Sequence, residues 1–255
     1  MRVLVCVKRV PAPGAKINIS ADGQSVDTAY LAFTTSPHEE CAVEEAVQLI
    51  ERHGGEATVL TLGPGEAEEQ VRYAASLGVA KGVLLPTDGA DWDPQRTAAA
   101  IASAISSIEA TDGAFDIILF GNESADSGGF QVGVRVARAL GRPIVNGIKG
   151  IDVGDGTLRA RRESDAGLEV YELPMPVVLG VKEGINLPRY PTLKGRLASK
   201  KAPVDQVTPE GVPGGQHLVT LLPATEQLSA TTILGHGPDA AAAVVDVLVE
   251  LGVLK

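Results

Sequence analysis

The chain has 255 residues, enough to bury a large core in one α/β domain with appendages. Its formal net charge of −10 and its 4% aromatic content argue against general nucleic-acid binding, which relies on basic surfaces and aromatic stacking. Two cysteines, Cys6 and Cys41, without a CxxC pair, and four scattered histidines suggest neither a disulfide framework nor a metal centre. No apolar run reaches the roughly 18 residues of a membrane helix, so no membrane insertion is expected. Arg2-Val3-Leu4-Val5 begins a strand at once and lacks a small-residue cleavage site. A reducing, cytoplasmic location is therefore the expectation.

Val3 to Val7 is continuously apolar and closed by Lys8-Arg9, the pattern of a central parallel strand. Lys16 to Thr28 reads as a small hairpin turning at Asp22-Gly23. Ser36-Pro37-His38-Glu39 then opens a helix, with Ser36 as N-cap, Pro37 at the first position and Glu39 completing a capping box. Ala42, Ala46, Leu49 and Ile50 form its buried face, and Gly54-Gly55 ends it. Ala57 to Leu62 is a second strand. The Gly63-Pro64-Gly65 after it lacks the third glycine of a dinucleotide fingerprint. Glu66, Glu68 and Glu69 crowd the following helix start, where they would repel a pyrophosphate. Gly82 to Pro86 is a third strand. Asp93-Pro94 caps a helix with Ala98, Ile101, Ala102, Ile105 and Ile108 along one face, and Asp116 to Phe120 is a fourth strand. Strands alternating with helices in this way predict an α/β fold with a doubly wound, mostly parallel sheet.

The fourth strand runs into Gly121-Asn122-Glu123-Ser124-Ala125-Asp126-Ser127-Gly128-Gly129-Phe130-Gln131-Val132-Gly133. Behind this loop, Val132, Val134, Val136, Ala137 and Leu140 give a helical face that stops at Gly141-Arg142-Pro143. A polar, glycine-rich loop leaving a strand end and opening a helix suits an anion such as phosphate. A tight loop of turn formers would read the same way. Beyond Pro143, Ile151 to Val153 and Leu158 to Glu163 read as a hairpin about Gly154-Asp155-Gly156. Leu168 to Leu173 and Val177 to Val181 read as short strands extending the sheet on one edge, in part antiparallel. Gly184 to Lys201 has loop and short-helix character, and Ala202 to Gln216 is a Pro/Gly-rich linker by composition. A last helix from near Pro238 to about Leu251 is apolar on most sides, through Ala241, Val244, Val245, Leu248, Val249 and Leu251, and needs a surface to dock on.

Two segments are more specific. Arg161-Arg162-Glu163-Ser164-Asp165-Ala166-Gly167-Leu168-Glu169 is one, and Asn186-Leu187-Pro188-Arg189-Tyr190-Pro191-Thr192-Leu193-Lys194-Gly195 with Lys200-Lys201 is the other. Both resemble the β subunit of electron-transfer flavoproteins, as do Val5-Cys6-Val7-Lys8-Arg9-Val10-Pro11 and Cys41-Ala42-Val43-Glu44-Glu45-Ala46. The resemblance spans nearly the whole chain. It implies an adenine-nucleotide-binding, Rossmann-like fold with an added hairpin edge and a C-terminal arm. It also implies an electron carrier with no catalytic residues, paired with an α subunit that holds most of the redox FAD site. AMP, or a second FAD in the bifurcating branch, would lie on this subunit. Electrons would arrive from a flavin dehydrogenase and leave to a quinone reductase or another acceptor.

Carried onto this sequence, the resemblance places the nucleotide on Cys6, Ser36, Glu39, Leu62 and the loop residues Ser124, Asp126, Ser127, Gly128, Gly129, Phe130, Gln131 and Val132. It assigns partner docking to residues 184–201, with Arg189, Tyr190 and Leu193, and contact with the flavin domain of the partner to Glu163. The alternative for Glu163 and Asp165 is surface pairing with Arg161 and Arg162. Residues 1–201 form the nucleotide-binding domain in this reading, and 202–255 a C-terminal linker and helix. Many members read Gly-Lys-Gln-Ala where this chain has Gly121-Asn122-Glu123-Ser124, and the lost lysine and added glutamate reduce the positive potential for phosphate. AMP, FAD and an empty site thus stay open. Two rivals are an adenine-nucleotide-processing enzyme, for which the chain lacks a Gly-x-x-x-x-Gly-Lys-[Ser/Thr] loop, and a nucleotide-sensing module, which would need no docking loop.

Overall fold

The computed structural model describes residues 1–89, 92–211, 213–223 and 231–254. In chain order the strands and helices begin with β1 (Arg2–Val7), β2 (Val10–Pro11), β3 (Asn18–Ile19), β4 (Val26–Asp27), β5 (Phe33–Thr34), α1 (Pro37–His53), β6 (Glu56–Gly63), α2 (Glu68–Leu77) and β7 (Lys81–Pro86). They continue with α3 (Pro94–Asp112), β8 (Ile117–Gly121), α4 (Val132–Ala139), β9 (Ile144–Val153), β10 (Thr157–Ser164), β11 (Gly167–Pro174) and β12 (Val177–Val181). The last are α5 (Leu193–Ser199), β13 (Val204–Gln206) and α6 (Ala241–Glu250).

Period-two alternation along β1 organises two cores. Val3, Val5 and Val7 point to one face of the sheet, where they meet Ala42, Ala46 and Leu49 of α1 and Val71 and Ala74 of α2. Leu4 and Cys6 point to the other, against Ala98, Ile101 and Ile105 of α3 and Val136 and Ala137 of α4. With helices on both faces, the central strands β1, β8 and β12 are almost wholly apolar, as a buried parallel sheet requires. The main sheet has the order β11-β10-β9-β12-β8-β1-β6-β7-β13. All its pairings are parallel except β9-β10 and β10-β11. The expected hairpin near Asp22-Gly23 forms as the antiparallel pair β3-β4.

Two readings are corrected. Val177–Val181 does not extend an edge. It is fully buried and inserts between β8 and β9, parallel to both. Five consecutive apolar residues carry no alternation, and that is the pattern of an interior strand. Val204–Gln206, inside the stretch read as a linker, instead pairs with β7 as the opposite edge of the sheet. The chain divides into compact units at Met1–Leu221 and Leu222–Lys255. Val212, residues 224–230 and Lys255, all within the expected C-terminal linker and helix, lie outside the described residues. In the second unit α6 has no buried residue, and Val244, Val245, Val249 and Leu251 are exposed.

The first turn of α1 sits directly on the end of β8. A Cβ at Gly121 would lie 2.6 Å from Glu39 Cγ and 3.2 Å from the Glu39 nitrogen. Gly121→Ala is therefore expected to destabilise the protein by about 1–3 kcal/mol, the usual cost of overpacking. Urea unfolding of both proteins tests this, and an unchanged midpoint would show that the helix start yields freely.

Candidate functional site

β1 leads to β6 and β7 on one side of the sheet, and α3 then returns the chain to β8 on the other side of β1. Strand order reverses between β1 and β8, and ligands of open α/β sheets sit at the carboxyl ends of strands at such a point. A cleft of about 370 Å³ lies there, lined by Ser36, Pro37, His38 and the stretch Glu123 to Gly128. Ser36 is the N-cap of the 17-residue α1, so the positive end of that helix faces the cleft.

Among the residues expected at a nucleotide site, the structure brings Ser36, Ser124, Asp126, Ser127 and Gly128 together in this lining. Glu39 lies buried beneath them. Its Oε2 accepts from the Ser36 N–H (3.1 Å) and hydroxyl (3.0 Å), and its Oε1 accepts from the Lys8 N–H (3.0 Å). The remaining expected residues do not line the cleft. Cys6 is buried within β1, and Leu62 is partly buried on β6 against the same core. Burial pushes the Cys6 thiol well above its usual range, with Glu39 adding to the shift, so it is a core residue rather than a reactive one. Gly129 and Phe130 are exposed, and Phe130 adopts a left-handed backbone (φ 55°). Gln131 precedes α4, which begins at Val132, and its Oε1 accepts from Arg135 Nη2 at 3.0 Å.

Sequence reasoning missed Lys8 and the pairings that Lys8 and His38 make with the loop. Lys8 Nζ lies 2.5 Å from Asp126 Oδ2, tying the residue after β1 to the cleft loop. Burial alone would raise the Asp126 carboxyl, yet the Lys8 charge and hydrogen bonds from Lys8, Ser124 and Ser127 hold it below its ordinary range. His38 Nε2 lies 3.3 Å from Glu123 Oε1 on the opposite wall. Lys8 had one visible signal, its place immediately after an apolar strand. The pairing of His38 with Glu123 had none, because they meet across 85 residues of sequence.

Of the three residues expected to dock a partner, two are exposed. Leu193 is 76% and Tyr190 89% exposed. Arg189 is not displayed. Its Nε donates to Glu44 Oε2 at 2.8 Å and its Nη1 to Glu51 Oε1 at 2.6 Å, so it clamps the segment onto α1. Those hydrogen bonds raise the Arg189 guanidinium further. Glu163 does not pair with Arg161 or Arg162. It is exposed and bonds Lys149 at 2.7 Å, while Arg161 pairs with Asp152 and Arg162 with Glu169.

A family profile described as "Electron transfer flavoprotein domain" matches residues 25–211. The chain belongs to that family. It is similar to the electron transfer flavoprotein subunit beta of Syntrophomonas wolfei, with 38% identity covering 80% of this chain and 78% of the relative. The subunit of that name from Bacillus subtilis is 31% identical over 81% of this chain and 79% of its own length. Protein FixA of Azorhizobium caulinodans is 32% identical over 80% and 74% respectively. The chain is thus of the electron-transfer flavoprotein β type, an electron carrier rather than an enzyme. Among the described residues, no helix is long and apolar enough to cross a membrane.

Among the described carboxyl groups of this electron-transfer subunit, Glu39 is the most perturbed. Burial pushes its carboxyl from 4.5 up to about 7, against the hydrogen bonds from Ser36 and Lys8 that favour the charged form. The folded value lies above the unfolded one, so Glu39 favours the folded state below about pH 4.5 and loses that contribution as pH rises toward 7. Between about pH 4.5 and 7.5, wild type is expected to lose on the order of 2–3 kcal/mol relative to Glu39→Gln. Paired denaturation curves across that range test it, and parallel stability profiles would refute a buried titrating Glu39.

Proposed function

We propose that this chain is the β subunit of a heterodimeric electron-transfer flavoprotein. It holds an adenine nucleotide in the cleft between α1 and the loop after β8, and passes electrons from a flavin dehydrogenase to a quinone reductase or another acceptor. The cleft at the strand-order reversal carries this reading, because it joins the N-terminus of α1 to the loop singled out in the sequence. Its residues fit one phosphate. Ser124 and Ser127 offer hydroxyls, α1 offers its positive end, Lys8 offsets the Asp126 carboxylate, and the neutral His38 imidazole hydrogen-bonds Glu123. A volume of about 370 Å³ is at the small end of ligand sites and is enough for a mononucleotide phosphate and its neighbourhood. The redox chemistry belongs to the FAD held mainly by the α subunit. This chain supplies nucleotide binding, the α-subunit interface and the docking segment.

The surface is consistent with such roles. Leu193 opens α5 and faces solvent beside Lys194 and Arg196, so charge steers the encounter and the leucine anchors it. The exposure of Glu163 on the β10–β11 hairpin supports a contact with the flavin domain of the partner, and the uncovered apolar residues of α6 suit docking on the α subunit. Two outcomes are expected. Co-expression with an α subunit yields a 1:1 complex whose acid extract contains AMP beside one FAD; an extract with no adenine nucleotide beyond that FAD refutes the cleft assignment. Leu193→Ala weakens dehydrogenase affinity about ten- to a hundredfold, the worth of a buried leucine, and leaves melting and flavin content unchanged. Normal docking with a lower melting temperature would make Leu193 a core residue instead.

A further inference from the structure

His38 ties together two regions that the proposed function keeps separate. Its Nδ1 accepts the Glu183 N–H at 2.8 Å. A backbone N–H can only donate, so the ring proton sits on Nε2, which points at Glu123 Oε1 at 3.3 Å. Glu123 begins the cleft lining, and Glu183 immediately precedes the docking segment. The strands that deliver them, β8 and β12, are neighbours, and the Asn122 N–H donates to Val181 O at 2.8 Å just beyond their ends. The imidazole is only 16% exposed; its bond to Glu123 is part-buried, and its bond to the Glu183 amide lies at the surface.

Past Glu183 the segment stays on the same helix. Asn186 Nδ2 donates to Cys41 O at 3.0 Å and Glu45 Oε2 at 3.1 Å, and Arg189 grips Glu44. α1 therefore presents the cleft on its first turn and the docking segment along its outer side. Leu187, Tyr190 and Leu193 project from that segment into solvent.

We propose that His38 is a positioning residue that couples the cleft loop to the docking segment. A change at Glu123 passes through the imidazole to the Glu183 amide and alters how firmly residues 183–190 are held. The functional meaning rests on the reading of the cleft and docking segment given above, whereas the coupling is measurable on the full chain alone.

Two substitutions divide the imidazole into its arms. His38→Asn keeps an acceptor near the Nδ1 position and loses the donor to Glu123. His38→Gln keeps a donor near the Nε2 position and loses the acceptor for Glu183. Hydrogen–deuterium exchange on the full chain is the readout. Glu123→Ala is expected to speed exchange across 183–190 about five- to tenfold, the scale of one lost hydrogen bond in a locally opening segment. His38→Gln alone should do the same. In the His38→Asn background, Glu123→Ala should add nothing at 183–190. The proposal is overturned if Glu123→Ala leaves 183–190 unchanged in an otherwise wild-type chain, or acts equally in the His38→Asn background. AMP added to the wild-type chain separates the two readings. Failure to protect 121–128 would sink the nucleotide assignment, while the variant series still decides the coupling.

Discussion

The functional end of the molecule depends on one close approach, the first turn of α1 against the last residue of β8. Gly121 lacks the side chain that would occupy the space of Glu39. Because that space is open, Glu39 can lie under the cleft and gather the Ser36 and Lys8 amides, which joins the end of β1 to the start of α1. The loop after β8 then emerges beside a helix N-terminus rather than at a distance from it. The polarity of the cleft follows, since a helix start presents unpaired N–H groups and partial positive charge.

α1 also solves a problem of charge. The protein is strongly acidic, yet Glu39, Glu44 and Glu45 are buried on this helix. Each has partners that offset the cost of leaving water. Burial would raise the Glu44 carboxyl, but hydrogen bonds from Arg189 and Gln48 hold it below its ordinary range. Glu45 accepts from Arg52 and Asn186. Arg189 and Asn186 both come from the segment before α5, so the basic stretch is fastened to the acidic helix by its own residues. That leaves Leu193 and Tyr190 outward, next to a backbone that is held in place.

Family membership and local chemistry carry different weight here. Shared residues across some four-fifths of the chain show the electron-transfer type, while the loop 121–133 has its own composition. Glu123 and Asp126 would make a poor anion site if unpaired. Lys8 pairs with Asp126 and the His38 imidazole hydrogen-bonds Glu123, so neither carboxylate is without a partner, and only Asp126 is charge-compensated.

Period and turn chemistry made much of the fold legible. Val3–Val7, the Ser36 start of α1, the capped start of α3 and the loop after β8 are local features, readable from a few adjacent residues, and the linear motifs around Glu163 and Tyr190 carried the family. What the sequence could not order was space. Val177–Val181 reads as a buried strand, but only pairing with β8 and β9 makes it interior, and three residues at Val204–Gln206 become a strand only because β7 offers an edge. Sequence by itself determined which elements exist, which loop carries the cleft and which family the motifs belong to. Tertiary structure decided that Lys8 meets Asp126, that His38 joins Glu123 to Glu183, and that Arg189 is a clamp. Those contacts span 118, 85 and 145 residues, with 145 again for Arg189 to Glu44, and polar pairs at such separations leave no period in the chain to be read.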